Sequence, residues 1–193
     1  MIFAVVLAGG QEERRAQPLR IDETLFPRVG EGDRAAFEQL YQLTERALYA
    51  YVLSIVKDPH DTVDIVHATY VKIRCCAHLY QPMGKPLAWM FTIARNLANS
   101  LLRQGARTRP QGEEMPEETY ISEPLDRIVL KAALERLEQS ESQIILLHLV
   151  SGLKHREIAQ DLGIPLATVL SRYHRGLKKL RKILLEGGGY DAR

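Results

Sequence analysis

From Asp33 onward, apolar residues recur at steps of three and four. Phe37, Leu40, Tyr41, Thr44, Leu48, Tyr51, Val52, Ile55 and Val56 fall on one side of a helix. Asp33 is suited to cap that helix, and Asp58-Pro59 stops it. A second helix is predicted from about Asp61 to His78, with Val63, Val66, Tyr70, Ile73 and Ala77 on one face. A loop follows from Leu79 to Pro86. A third helix is predicted from about Leu87 to Gln104, turning Met90, Ile93, Ala94, Leu97 and Leu101 inward. Nothing here alternates with the period of a strand, so the expected class is all-α.

The pattern then breaks and resumes. Gly105, Pro110, Gly112, Pro116 and Pro124 interrupt regular structure, and the acids Glu113, Glu114, Glu117, Glu118 and Glu123 dominate. This stretch reads as a solvated tether, or as a mimic of nucleic-acid charge that occupies a basic channel. Beyond it, Ile128, Val129, Ala132, Ala133 and Leu137 mark another helix. Ser140 to Gln143 reads as a capping box ahead of the apolar run Ile144 to Val150, and Gly152 ends that run. Two further helices are predicted, about 154–162 and 166–185. The chain therefore divides into a flexible extension at 1–30, a helical domain at 31–107, a linker at 108–124, a second helical domain at 125–186 and a tail at 187–193.

Composition excludes several classes. With 46 % hydrophobic and 26 % charged residues, the chain can bury cores and is not of disordered type. The ten apolar residues at the start are too few to span a bilayer and lack the basic lead of a secretory signal. A soluble, cytoplasmic protein is expected. Val5 to Gly10 resembles the strand-to-loop opening of nucleotidyltransferases, but Glu12 and Glu13 stand where phosphate would need backbone amides. Cys75 and Cys76 are adjacent, which suits reduced thiols better than a disulfide scaffold. The histidines are scattered, and no triad, phosphate loop or metal spacing stands out, so neither an enzyme nor a cofactor is expected.

The most specific local signal runs from Lys154 to Tyr173 and reads as a helix-turn-helix. Ala159 is small where two helices cross, Gly163 sits at the turn and Pro165 fits the start of the next helix. Ile158, Leu162, Ile164, Val169 and Tyr173 form the shared core. Thr168, Leu170, Ser171, Arg172 and Arg175 then project outward, as a recognition helix requires. Net charge is only +2, yet between Thr168 and Leu185 six bases occur and no acid: Arg172, Arg175, Lys178, Lys179, Arg181 and Lys182. Such a face attracts phosphate through counterion release.

Together the two halves resemble sigma factors of the extracytoplasmic-function group of the sigma-70 family, over about residues 33–107 and 125–185. Leu134 to Leu137, Ile144 to Leu149, Glu157-Ile158-Ala159, Leu162 to Pro165 and Thr168 to Arg172 look like region 4, which binds the −35 element. Arg34 to Tyr41 resembles the start of region 2. Asp61 to Val66 is similar to the segment that grips the polymerase clamp, and Ala88 to Ala98 to the promoter-melting helix. The resemblance implies core RNA polymerase (its β′ clamp and β flap) and promoter DNA as partners, and an anti-sigma factor that holds the protein inactive. It implies −35 contacts from Thr168, Leu170, Ser171, Arg172, Arg175, Lys178 and Lys179. It implies −10 contacts from Tyr80, Met83, Trp89, Arg95, Asn96, Asn99 and Arg103, and polymerase contacts from Asp61, Asp64 and Ile65.

The residue chemistry is compatible with these roles. Asp61 and Asp64 share a helix face. Arginine and asparagine suit phosphate and base-edge contacts. Tyr80 and Met83 are candidate walls for a flipped base, or ordinary loop packing; Trp89 is either core or a stacking surface. The chain departs from the family pattern in three places. His67-Ala68 follow Val66 where glutamine and glutamate are usual. Arg103-Gln104-Gly105-Ala106-Arg107 replaces a denser arginine run. Leu170 stands where lysine is frequent, which would exchange a phosphate contact for a thymine methyl. The competing reading is a helix-turn-helix regulator that binds DNA by itself as a dimer.

Overall fold

The structure, a computed structural model, describes residues 20–108 and 136–187. Every regular element in those residues is helical. In chain order they are α1 (Leu25–Gly30), α2 (Arg34–Val56), α3 (Pro59–Cys76), a 3₁₀ turn (Ala77–Leu79), α4 (Pro86–Thr108), α5 (Gln139–Leu149), α6 (His155–Leu162) and α7 (Leu166–Gly187). The first 19 residues, the acidic stretch, the helix expected around Ile128 to Ala133 and the last six residues lie outside the described residues.

The helices α2, α3 and α4 pack mutually as a bundle. Asp33 caps α2, its Oδ1 accepting the Ala36 N–H at 3.1 Å. Asp58 caps α3, accepting the Asp61 N–H at 2.9 Å. Pro59 therefore opens that helix, where its missing N–H leaves no bond unmade. The buried stripe of α3 includes Thr62 and Thr69 beside Ile65, Val66, Tyr70 and Ile73. Both threonines return their hydroxyls to the carbonyl four residues back, at 2.6 and 2.7 Å, so a polar side chain sits in the core without an orphan donor. Thr44 does the same to Leu40 and also meets the Tyr70 hydroxyl at 2.7 Å. In α4 the fully buried positions are Met90, Phe91, Ala94 and Ala98, with Ile93, Leu97 and Leu101 half-buried. That helix also runs through Gly105 to Thr108, past its expected end near Gln104.

Residues 21–30 depart from the expectation of a flexible extension. Ile21, Leu25, Phe26 and Val29 are buried, and α1 packs on α2, α3 and the 3₁₀ turn. A six-residue helix is too short to show periodicity, and apolar burial rather than propensity holds it.

The second module is built on α5. Its residues Ile144 to Leu147 are buried all round, because α5 packs on α7, α6 and α2 at once. Its capping pair lies two residues earlier than expected: the Glu138 N–H donates to the Glu141 carboxylate at 3.4 Å. Gly163 adopts φ 64° and ends α6, and Pro165 precedes α7, its carbonyl accepting the Thr168 N–H at 2.9 Å. Ile158, Val169 and Tyr173 are fully buried at the crossing, so the helix-turn-helix is formed as its punctuation predicted.

Candidate nucleic-acid interfaces

The outer side of α7 carries the candidate recognition surface. Ser171, Arg175 and Lys178 are exposed; Thr168, Leu170, Arg172 and Lys179 are half-buried. Two of these cations have a second employment. Glu141, fully buried, accepts from Arg175 Nε at 2.8 Å and from Lys179 Nζ at 2.9 and 3.1 Å. Hydrogen bonding to Glu141 also raises the Lys179 pKa. The clasp needs close helices. A Cβ on Gly176 would stand 2.9 Å from Ile145 Cδ1 and 3.0 Å from Glu141 Cβ. Glycine there lets α7 lie down on α5, bringing Arg175 and Lys179 over the carboxylate. The unbroken basic face read from sequence is therefore divided: Arg172, Lys178, Arg181 and Lys182 stand outside the clasp.

Behind α7 the structure stacks His148 on His155, with ring centres 4.2 Å apart, and sets both edge-on to Tyr173. The His148 Nδ1 lies 2.7 Å from the Leu153 carbonyl, pinning the turn between α5 and α6. Histidines that look scattered along the chain are thus brought together by the fold.

In the first module, the loop Tyr80 to Lys85 leads into α4. Tyr80 stacks on Phe26 at 4.1 Å, and Trp89 meets both rings edge-on at 5.5 and 5.3 Å. Burial, with Glu23 beside the hydroxyl, pushes the Tyr80 pKa up to about 12. Both aromatics are half-buried in this cluster. Met83 is 78 % exposed, the most exposed large apolar side chain among the described residues, and stands at the loop's tip. Along α4, Asn96 and Arg103 are exposed and Asn99 is half-buried. Arg95 differs: it is 13 % exposed and bound to Asp161 of α6. Its Nη2 donates to Asp161 Oδ1 at 2.9 Å and to the Asp161 carbonyl at 3.2 Å, while Nη1 meets Oδ2. Burial alone would lower the Arg95 pKa; Asp161 and Tyr51 together outweigh it and raise it. Lys85 pairs with Glu157, one turn before Asp161 on α6, and this pairing lowers the Glu157 pKa.

The family comparisons match this architecture module by module. The model of sigma-70 region 2 matches residues 40–108, and the model of sigma-70 region 4 matches residues 127–180, together most of the chain. The chain is a sigma factor of the extracytoplasmic-function group. Among curated relatives, the ECF RNA polymerase sigma factor SigE of Mycolicibacterium smegmatis is 29 % identical over 167 residues, 79 % of this chain and 64 % of that protein. The chain thus spans less than two thirds of that relative's length. SigX of Bacillus subtilis, also an ECF RNA polymerase sigma factor, is 27 % identical over 160 residues, 76 % of this chain and 82 % of that one. The sigma factor RpoE in complex with the anti-sigma factor NepR from Bartonella quintana superposes with a TM-score of 0.57 at 26 % identity, covering 77 % of this chain and 96 % of that chain. CnrH, solved with the cytosolic domain of CnrY, shares the fold with a TM-score of 0.55 at 24 % identity, covering 86 % and 97 %.

The sigma factor's expected polymerase-facing residues are sorted by the fold. Asp64 is exposed and Asp61 half-buried on the same side of α3, and His60 Nε2 lies 3.9 Å from Asp64. Ile65 is 3 % exposed and packs in the region 2 core, so its side chain is not presented to a partner. Successive positions on a helix point about 100° apart, which gives Asp64 to solvent and Ile65 to the bundle. Sequence reasoning missed Glu141, Asp161, Glu157 and Phe26. Each acts on residues between 34 and 72 positions away or on the far side of a loop, beyond any local spacing signal. No helix among the described residues is long and apolar enough to cross a membrane.

Proposed function

We propose that this sigma factor binds core RNA polymerase in the cytoplasm and directs it to promoters by reading two DNA elements with its two modules. Region 4 sets α7 in the major groove of the −35 element. Thr168, Leu170, Ser171 and Arg172 reach base edges; Lys178 and the outer atoms of Arg175 and Lys179 hold phosphate. Region 2 meets the −10 element with Met83 at the loop tip and with Arg95, Asn96, Asn99 and Arg103 along α4. Tyr80 and Trp89 hold that loop in place from behind. Asp61 and Asp64 offer carboxylates to the β′ clamp, and region 4 meets the β flap. An anti-sigma factor is the expected regulator, as in the complex of RpoE with NepR. No bond chemistry is needed: strand opening follows from preferring unpaired bases, whose unstacking costs a few kcal/mol that loop contacts must offset.

The observation that carries this reading is the order of a melting-type helix and a helix-turn-helix in one chain, matched separately by region 2 and region 4. The test is reconstitution. The purified chain is expected to co-elute with core polymerase and to confer promoter-specific transcription in vitro. Arg172→Ala should weaken −35 discrimination by about 1–3 kcal/mol while polymerase binding is kept. Tight, sequence-specific duplex binding by the free chain, with no affinity for polymerase, would favour the independent dimeric regulator instead.

A further inference from the structure

We propose that Glu141 is a positioning residue for −35 recognition: by tying Arg175 and Lys179 to the first turn of α5, it sets the rotation at which α7 meets the groove. This rests on the reading of α7 as the −35 surface.

Apolar packing leaves that rotation loosely defined. The inner face of α7 is formed by Val169, Tyr173, Gly176 and Leu180, all buried. Apolar contact is non-directional, and where α7 comes nearest to Ile145 and Glu141 the residue is Gly176, which has no side chain to key one helix into the other. Hydrogen bonds are directional. The Glu141 carboxylate, fully buried, accepts from Arg175 Nε at 2.8 Å and from Lys179 Nζ at 2.9 and 3.1 Å. Its Oε2 also accepts the Glu138 N–H at 3.4 Å, which ties the carboxylate to the start of α5. Arg175 and Lys179 lie one turn apart, so Glu141 holds α7 at two points and not on a pivot.

The rotation matters because the readers share a flank with the tied cations. Thr168, Arg172, Arg175 and Lys179 follow at steps of four, three and four, which places them along one side of α7. Fixing the last two fixes the angle of Thr168 and Arg172, which reach for base edges. The margin is small. A side-chain tip about 6 Å from the helix axis travels about 2 Å when the helix turns by about 20°, enough to break a base-edge hydrogen bond. The tie does not consume the whole guanidinium: among the described residues, neither Nη atom of Arg175 has a partner, so that edge stays free for phosphate. Without the carboxylate both cations could follow whichever phosphates lay nearest, and α7 would grip DNA in several rotations.

The test uses holoenzyme rebuilt from core polymerase and the full chain, presented with a duplex library randomised across the −35 position. Discrimination is the affinity for the selected sequence divided by that for its point-substituted versions. Glu141→Gln keeps an acceptor for the Glu138 N–H but removes the charge that holds both cations. It is expected to lower discrimination about tenfold, while affinity for unselected duplex is kept or rises. A merely structural role would lower both together; that outcome, or discrimination within about twofold of wild type, overturns the proposal. Gly176→Ala tests the same device with every charge intact. Its Cβ would stand 2.9 Å from Ile145 Cδ1 and 3.0 Å from Glu141 Cβ, so α7 must lift from the carboxylate. Discrimination should fall about threefold. If circular dichroism shows Glu141→Gln unfolded, Gly176→Ala decides alone, and unchanged discrimination there overturns the proposal. Glu138→Gln makes the same charge change 3.5 Å from Lys179 and should leave discrimination intact; a loss equal to that of Glu141→Gln would assign the effect to net charge and overturn the positioning role. Wild-type holoenzyme that selects no −35 sequence refutes the reading of α7 itself. A selected sequence that Glu141→Gln reads equally well refutes only the role of Glu141.

Discussion

In region 2 the interior is aromatic and aliphatic: Tyr51 lies on Phe91, and Leu40, Leu48, Ile73 and Met90 are fully buried in the same core. Region 4 adds to its apolar core a fully buried carboxylate, Glu141, with Arg175 and Lys179 closing over it. The contrast follows from what each module must expose. Region 2 keeps its ionic contacts at the edge and can fill its interior with apolar side chains. Region 4 is smaller and must present a basic helix, whose like charges repel one another. A buried anion beneath that helix offsets part of the repulsion and fixes the helix's rotation. Burying Glu141 would be costly without partners, and the partners are two cations of α7.

The contrast predicts different responses to perturbation. Phe91→Ala should give the largest effect, about 3–5 kcal/mol, because a fully buried ring stacked on Tyr51 leaves a cavity the bundle cannot close. Trp89 is the only tryptophan, so urea unfolding followed by its fluorescence reports region 2. A loss below about 1 kcal/mol would mean the stack is not central. Glu141→Gln should do less to stability, lowering the unfolding midpoint by about 5 °C, because Arg175 and Lys179 are 52 and 40 % exposed and water screens them. Its informative effect lies elsewhere. With the anion gone, the donors that Arg175 and Lys179 spend on Glu141 join their outer atoms on phosphate, and the salt dependence of duplex binding should steepen by about one to two counterions. An unchanged slope would show that both cations already contact DNA while clasped.

Much of this was legible in sequence because it is local. The Asp33 cap, the Gly163 turn and the buried trio Ile158, Val169 and Tyr173 each follow from spacing within one or two helical turns. Stripes containing threonine were less legible: Thr62 and Thr69 read as polar, yet a hydroxyl that bonds its own helix can be buried at little cost. The short helix carrying Phe26 gave no period to detect. Ile65 enters the polymerase-facing set through the family resemblance of Asp61 to Val66, although neighbouring positions on a helix point about 100° apart and Ile65 falls on the buried side. The −10 and −35 residues were placed by family resemblance and helix face. The acids that hold three of the cations, Glu141 for Arg175 and Lys179 and Asp161 for Arg95, act across 34 to 66 residues of chain. Only the packed fold brings them together.

The smallest expected effect tests the edge-versus-centre contrast through pH. Region 2 begins with an exposed clasp: Asp33 caps α2 and accepts from Arg28 Nε at 2.9 Å and Nη2 at 2.7 Å. The Ala36 N–H and the Arg28 guanidinium hold the Asp33 pKa below its ordinary value. A carboxyl depressed in the folded state adds stability that is complete above the unfolded pKa, near about 4, and fades as pH falls through the folded value. Asp33→Asn keeps an N-cap acceptor but cannot ionise. Wild type should therefore exceed Asp33→Asn in urea midpoint at neutral pH, and the gap should close as pH falls below about 4. Salt should narrow the neutral-pH gap as well, since the Arg28 side chain is half exposed. A gap that is constant with pH would assign the difference to cap geometry alone and leave the Arg28 pair without energetic weight.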